Sequence, residues 1–305
     1  MNEQLPEESV IKNLEIEVTR LIRGAEQVLY QYMPGKISVS YKGKQNSDPV
    51  TEADIRIEDY LRKEISQEYP QHLIIAEESS QQNTKEDSPF TWVIDPLDGT
   101  ANFASGIPVY AISIGILYEG IPIVGGLLLP STSSNHGVYH ASLGGGAFWE
   151  DQPITASLGT LPISSGVSGV PANFERLFSS KVLSKQGIRE IRVLGSIAYE
   201  MTLVAKGAFQ SSFFNGGRIW DVAAGIILIS EAGGGVWEFT HGSWTKFSAF
   251  NDATISSDKS RYETLRSWNR PLLTGGSAIA EALASRITFR RSKLSSVLRK
   301  LKIMP

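Results

Sequence analysis

Between residues 7 and 32 apolar side chains recur at Val10, Leu14, Val18, Leu21, Ala25, Val28 and Leu29. That three-and-four spacing lines one face of a helix and leaves the charges on the other. Pro34-Gly35 predicts its end. Residues 36–50 alternate weakly at Ile37, Val39 and Tyr41, then turn polar through YKGKQNSDP, which predicts a loop. Thr51-Glu52-Ala53-Asp54 opens a second helix, with Ala53, Ile57, Leu61 and Ile65 along one face and Thr51 and Asp54 as capping residues. Leu73–Ala76 is a short apolar strand that ends on Glu77-Glu78-Ser79, and Gln81–Ser88 is a polar connection. Trp92-Val93-Ile94 begins a buried strand that Pro96, which lacks an N–H, should terminate. Ala111–Tyr118 and Ile121–Leu129 pair as a hairpin across Glu119-Gly120, and strands follow around Asn135–Tyr139 and Gly146–Trp149.

Ser157–Val170 is rich in Ser, Gly and Pro and is expected to link two halves, 1–155 and 156–285. In the second half Asn173–Gln186 looks helical, Ile191–Leu194 a strand, Ile197–Lys206 a helix and Ala208–Phe214 a strand. A helix over Trp220–Ser230 and a strand over Val236–Phe239 continue the alternation, which argues for sheets covered by helices. The tail, 286–305, carries Arg286, Arg290, Arg291, Lys293, Arg299, Lys300 and Lys302 against six apolar residues, the pattern of a basic amphipathic helix.

Composition narrows the chemistry by exclusion. The 305 residues contain no cysteine, which removes disulfides, thiolate catalysis and cysteine-based metal sites and fits a reducing cytoplasm. Net charge is −3, so nothing global favours nucleic acid. The acidic N-terminus is no secretory signal, and the most apolar stretch, Ala111–Leu129, is broken by Glu119-Gly120 and Pro122 instead of running on as a membrane span. His72, His136, His140 and His241 show no metal-ligand spacing on a helix and read as structural or surface residues. Gly144-Gly145-Gly146 has no following Lys-Ser/Thr and reads as a strand-edge turn.

Against this background the stretch WVIDPLDGTANF stands out. It sets Asp95 and Asp98 at a strand end, then Gly99 for close backbone approach and Thr100 with a hydroxyl, ahead of a short helix near Ala101. Carboxylates suit a hard cation such as Mg²⁺, and the free amides of a turn suit an anion. An Asx-type turn with solvated acids explains the same residues in isolation.

WVIDPLDGTANF followed by GIPVYAISIG resembles the first signature of the inositol monophosphatase family, and IWDVAAGIILISEAGGG resembles the second; the likeness runs from about residue 10 to about 285. The resemblance implies an α+β fold layered α-β-α-β-α, with two sheets sandwiched between helix layers. It implies hydrolysis of a small-molecule phosphate monoester by a water activated on two or three Mg²⁺ ions, and sensitivity to Li⁺. Glu77, Asp95, Asp98, the Leu97 carbonyl and Asp221 are then the metal ligands, with Glu78 behind them. Thr100, oriented by Asp54, steers the water, so Glu77, Thr100 and Asp54 carry the catalysis. Gly99, Thr100, Gly195, Ser196 and Asp221 meet the substrate, although Gly195-Ser196 and Asp221 are equally plain helix caps. A lysine, Lys42 or Lys44, is implied near the phosphate. Phe214 stands where inositol phosphatases usually carry a sugar-binding Glu, with Asn215 or Arg218 as substitutes. Bisphosphate nucleotidase, fructose-bisphosphatase or histidinol-phosphatase activity therefore stays open, as does a catalytically retired binding protein. A homodimer is implied by the relatives alone; no nucleic-acid or membrane partner is expected.

Overall fold

The computed structural model describes residues 5–32, 39–42, 48–79, 88–130, 136–177, 185–250 and 260–287. Within them lie helices α1 (Glu8–Tyr30), α2 (Glu52–Glu68), α3 (Thr100–Ala104), α4 (Phe174–Leu177), α5 (Ile197–Ala205), α6 (Ile219–Glu231), α7 (Arg261–Arg266) and α8 (Ser277–Ala284).

Seven strands form the first sheet in sequence order: β3 (Leu73–Ala76), β4 (Phe90–Asp98), β5 (Ala111–Tyr118), β6 (Ile121–Leu129), β7 (Gly137–Ser142), β8 (Gly146–Trp149) and β9 (Gln152–Pro153). Only β3 and β4 run parallel; the rest is an antiparallel meander. The second sheet has six strands, β10 (Val167–Gly169), β11 (Glu190–Arg192), β12 (Ser211–Arg218), β13 (Gly234–Thr240), β14 (Ser243–Lys246) and β15 (Asn269–Gly276), in the order β11-β10-β12-β15-β13-β14.

Strand alternation assigns each face a partner. Ile112, Ile114 and Ile116 of β5 point toward α1 and α2, where Val18, Leu21, Ile57 and Leu61 are fully buried. Ala111 and Leu117 point the other way, into a core shared with α5, α6 and the second sheet's Phe214, Val236 and Leu272. Helix α8 closes the far side with Ile279 and Leu283 against Phe213 and Leu273. The layers therefore run helix, sheet, helix, sheet, helix, as the resemblance implied.

Helix α6 sits unusually close to the first sheet. Gly115 of β5 and Gly125 of β6 face each other across the ladder. A Cβ on Gly115 would meet the Ala223 Cβ at 2.8 Å, and one on Gly125 would meet the Ala224 carbonyl oxygen at 2.6 Å. Two glycines against two alanines let backbone approach backbone, and this fixes the height of Asp221 above the sheet.

Several expectations need correction. The strand does not end at Pro96: β4 runs on to Asp98, with its register against β5 shifting between Asp95 and Asp98. A bulge accommodates a residue that cannot donate to the ladder. Residues 36–50 are not all loop, because β1 (Val39–Lys42) and β2 (Asp48–Thr51) pair antiparallel. The link Ser157–Val170 contains β10, whose Ser168 and Gly169 are buried. Of the helix expected over Asn173–Gln186, α4 is described, while 178–184 lie outside the described residues, as do Lys44 and the basic tail from 288 onward. Strands β14 and β15 and helices α7 and α8 had no counterpart in the sequence reading.

Candidate metal and phosphate site

The bulge does more than admit a proline. It turns both Asp95 and Asp98 toward the end of the sheet, with the Leu97 amide donating back to Asp95 Oδ1 at 3.0 Å. Parallel pairing of β3 beside β4 brings Glu77 to the same edge, where its own N–H donates to the Ile94 carbonyl at 3.3 Å. Asp221 arrives from the second sheet's side in the first turn of α6, accepting the Arg218 amide at 2.7 Å. It is thus both a helix cap and a member of the cluster.

These acids act on one another electrostatically. Burial, then the charges of Glu77, Asp98 and Asp221, push the Asp95 carboxyl well above the usual carboxylate range. Burial, then Asp98, do the same to Asp221. Asp98 rises to about 6 because burial outweighs the hydrogen bonds from Ser196 and from the Ala198 and Ile197 amides. As placed, no three acidic or histidine side chains among the described residues close tightly enough to share one ion. One reason is visible in the bonding. Asp98 Oδ2 is drawn to the Ser196 hydroxyl at 2.8 Å and the Ala198 amide at 2.5 Å.

The next turn is as the motif suggested. Gly99 takes φ +97°, and a Cβ there would lie 2.9 Å from the Val109 carbonyl oxygen, so a larger residue is excluded twice over. Thr100 opens α3, and its hydroxyl lies 3.0 Å from both Asp54 Oδ1 and the Leu97 carbonyl oxygen. Asp54 is fully buried, caps α2 by accepting the Thr51 amide at 2.8 Å, and also accepts the Thr51 hydroxyl. The capping role and the Thr100-orienting role are therefore held by one carboxylate. Glu78 and Ser79 donate their amides to Glu58, at 2.8 and 3.0 Å.

Gly195 (φ +80°) and Ser196 form the turn before α5. Ser196 caps that helix by accepting the Tyr199 amide and at the same time donates to Asp98. A cavity of about 390 Å³ opens from Asp98 across this turn, bounded by Val170, Pro171, Val193, Phe214 and Asn215. Phe214 is buried in the core and offers no acceptor to a hydroxyl; Asn215 is exposed at the rim; Arg218 does not line the cavity. Lys42 lies on β1, and its side chain is outside what is described.

Two residues escaped the sequence reading. Glu200, 4% exposed, lines the cavity and accepts the Leu194 amide at 3.1 Å and the Ser212 hydroxyl at 2.8 Å. Burial lifts its carboxyl to about 7. Its signal was a lone acid inside the apolar run IAYEMTLVA. Asn102, inside the first motif, donates to the Val109 and Leu194 carbonyls at 2.7 and 2.8 Å, tying the two turns together.

Comparison with known proteins places this geometry. The model of the inositol monophosphatase family matches residues 12–270. An inositol-1-monophosphatase of Synechocystis is 36% identical over 209 residues, 66% of this chain and 70% of the relative. Inositol monophosphatase 2 of Saccharomyces cerevisiae is 31% identical over 251 residues, 77% of this chain and 85% of the relative. Among solved structures, an inositol monophosphatase from Anabaena (Nostoc) is 26% identical with a TM-score of 0.66, covering 90% of this chain and 95% of that one. The fold is also that of an IMPase/NADP phosphatase solved with Mg²⁺ and phosphate, at 18% identity, TM-score 0.71 and coverage of 93% and 100%. With the family model spanning most of the chain and its two motifs meeting at one sheet edge, the chain belongs to the inositol monophosphatase family.

Proposed function

We propose that this chain is a Mg²⁺-dependent hydrolase of small phosphate monoesters, with inositol monophosphate as its first candidate substrate. The observation that carries the reading is the convergence of Glu77, Asp95, Asp98 and Asp221, from three separate stretches of chain, into one acidic cluster in which burial and neighbouring carboxylates raise the proton affinity of Asp95 and Asp221. An all-oxygen donor set of this kind fits a hard cation, and its mutual repulsion is what such a cation relieves. The ligands are Glu77, Asp95, Asp98, the Leu97 carbonyl and Asp221, for two or three ions. When bound, Mg²⁺ makes water a better nucleophile and neutralises charge on the phosphoryl and leaving oxygens.

The chain's own groups do the rest. With its proton directed to Asp54 or the Leu97 carbonyl, the Thr100 hydroxyl keeps lone pairs free to accept from the attacking water. The amides of the first turn of α3 are not consumed within the helix and face the phosphoryl oxygens. Gly195 and Ser196 bound the space that the alcohol occupies. Water attacks phosphorus, the bond to the alcohol oxygen breaks, and that oxygen takes up a proton. The products are inorganic phosphate and the free alcohol. A homodimer and a cytoplasmic setting belong to the same reading, supported by the family and by the absence of cysteine.

Phe214 favours a second reading of the substrate. It supplies no side-chain acceptor, and with Val170, Pro171 and Val193 it gives the wall an apolar patch beside polar Ser196, Glu200 and Asn215, so an alcohol with an apolar face, such as a nucleoside, is the second candidate. Turnover with Mg²⁺ on a panel of inositol, sugar, histidinol and nucleoside phosphates separates the two. Mg²⁺-dependent release of phosphate, inhibited by millimolar Li⁺, is expected. No turnover on any ester would support the retired binding protein instead.

A further inference from the structure

Helix α7 lies far along the sequence from the acidic cluster, and neither motif includes it. It is nevertheless clamped along the first sheet, by its start at the far end of β4 and by its end beside the cluster. At its start Arg261 donates to the Ser88 and Pro89 carbonyls at 2.8 and 3.0 Å and lies 3.4 Å from Glu119. At its end Arg266 donates to the carbonyls of Ala76 and Glu77, the latter at 3.1 Å. The same guanidinium stands 5.1 Å over the ring of Trp220, the residue before Asp221, and 5.9 Å from the ring of Tyr262. Trp220, Tyr262 and Leu265 share one buried cluster, so the helix is seated and not merely touching.

We propose that Arg266 is a positioning residue for the metal ligands. It fixes Glu77 through that residue's backbone carbonyl and braces the Trp220 ring beside Asp221. The role rests on the reading of Glu77 and Asp221 as ligands. The physical need is plain. Glu77 is the first residue beyond β3, and its carboxylate lies close enough to Asp95 for the two charges to repel. Its N–H is fixed by Ile94, and the amides of Glu78 and Ser79 are fixed by Glu58. Arg266 adds a constraint on the carbonyl. A guanidinium suits the task because its planar fork serves two carbonyls while its face lies on an indole; an ammonium, a compact point charge without a fork or a flat face, does both less rigidly.

The test is Mg²⁺ binding to the full chain by titration calorimetry, beside turnover as a function of Mg²⁺. Arg266→Ala should weaken Mg²⁺ by about 10–100-fold, the scale for groups that orient ligands. The Mg²⁺ needed for half-maximal turnover should rise equally, with kcat at saturating Mg²⁺ changed by no more than about twofold. Arg266→Lys should fall between, and stands in if the alanine variant does not fold. Arg261→Ala loosens the same helix without touching Glu77 and should leave Mg²⁺ affinity unchanged. Unaltered affinity in both Arg266 variants overturns the proposal. Equal weakening by Arg261→Ala does so too, by showing that any loosening of α7 suffices. If the unaltered chain binds no Mg²⁺, the metal reading itself falls and takes this role with it.

Discussion

Two groups of acids in the molecule are treated oppositely. On the outer layer, Glu15 of α1 meets His140 Nδ1 at 2.6 Å, Lys12 at 2.8 Å and the Ser142 hydroxyl at 2.8 Å. Nearby Glu26 meets His136 at 2.7 Å, and Glu150 pairs with Arg23 and accepts the Val138 amide. Burial opposes the charge on Glu15, yet these partners outweigh it and bring the carboxyl down to about 2. At the sheet edge the balance runs the other way: burial raises Asp95, Asp98 and Asp221, and neighbouring acids add to it at Asp95 and Asp221. The first set is neutralised by the protein's own cations and serves the fold. Among the described residues the second has less such compensation, which is the imbalance that the proposed cation would relieve.

The sharpest way to break that contrast is Asp98→Asn. Removing one preorganised charge from the reacting centre should cut Mg²⁺-dependent turnover by roughly 10²–10³-fold, with circular dichroism unchanged. Turnover near that of the unaltered chain would put the site acids in the same class as those of α1.

Stability separates the two sets next. A carboxyl raised in the folded state binds protons that the unfolded chain has released, so without Mg²⁺ the fold should lose stability as pH climbs from about 4 toward neutrality. Saturating Mg²⁺ should restore it. At a hundredfold excess over Kd the gain is about 2.7 kcal/mol, or roughly 4 °C in Tm for a chain of this length. Asp95→Asn should be at least as stable as the unaltered chain without metal at pH 8, and should respond less to Mg²⁺. Glu15→Gln should do the reverse, losing about 1.5–3 kcal/mol through its charge-assisted bonds while the Mg²⁺ response and turnover persist. Thermal melts with and without Mg²⁺ read all of these outcomes. A Glu15→Gln chain as stable as its parent would remove one side of the contrast.

The same division marks how far the sequence could be read. Both motifs announced their acids, because a carboxylate-rich turn after an apolar strand is a local pattern, and Asp54 three residues after Thr51 is a cap visible at any helix start. The periodicity of α1, α2, β5 and β6 was legible for the same reason. What stayed hidden depends on partners distant in sequence. Pro96 reads as a strand end until β5 is known to shift register beside it. Arg266 is one of many arginines until α7 is seen to lie across the carbonyls of β3. His140 reads as structural or surface, and the partner that gives it that role, Glu15, is 125 residues away.

That histidine gives the finest test, and its sign differs from that of the site. Burial lowers the affinity of His140 for its proton, but the bond to Glu15, the Glu150 carbonyl and the Glu15 charge outweigh burial and raise it above 6.5. Lys12 opposes them weakly. A raised histidine stabilises fully below its unfolded value near 6.5, and that contribution fades as pH rises through the folded value. Glu15, lowered from 4.5, contributes above about 4.5 and is lost only as pH falls through about 2. The pair should therefore stabilise most between about pH 4.5 and 6.5. His140→Gln should cost about 1–2 kcal/mol in that window and progressively less toward pH 8. The Mg²⁺-free site acids make the whole fold weaker over that same rise, so the gap between His140→Gln and its parent must be read with Mg²⁺ present. A gap that stays constant from pH 5 to pH 8 would mean that His140 is a neutral hydrogen-bonding group, and that the outer-layer acids are not neutralised in the way their short contacts imply.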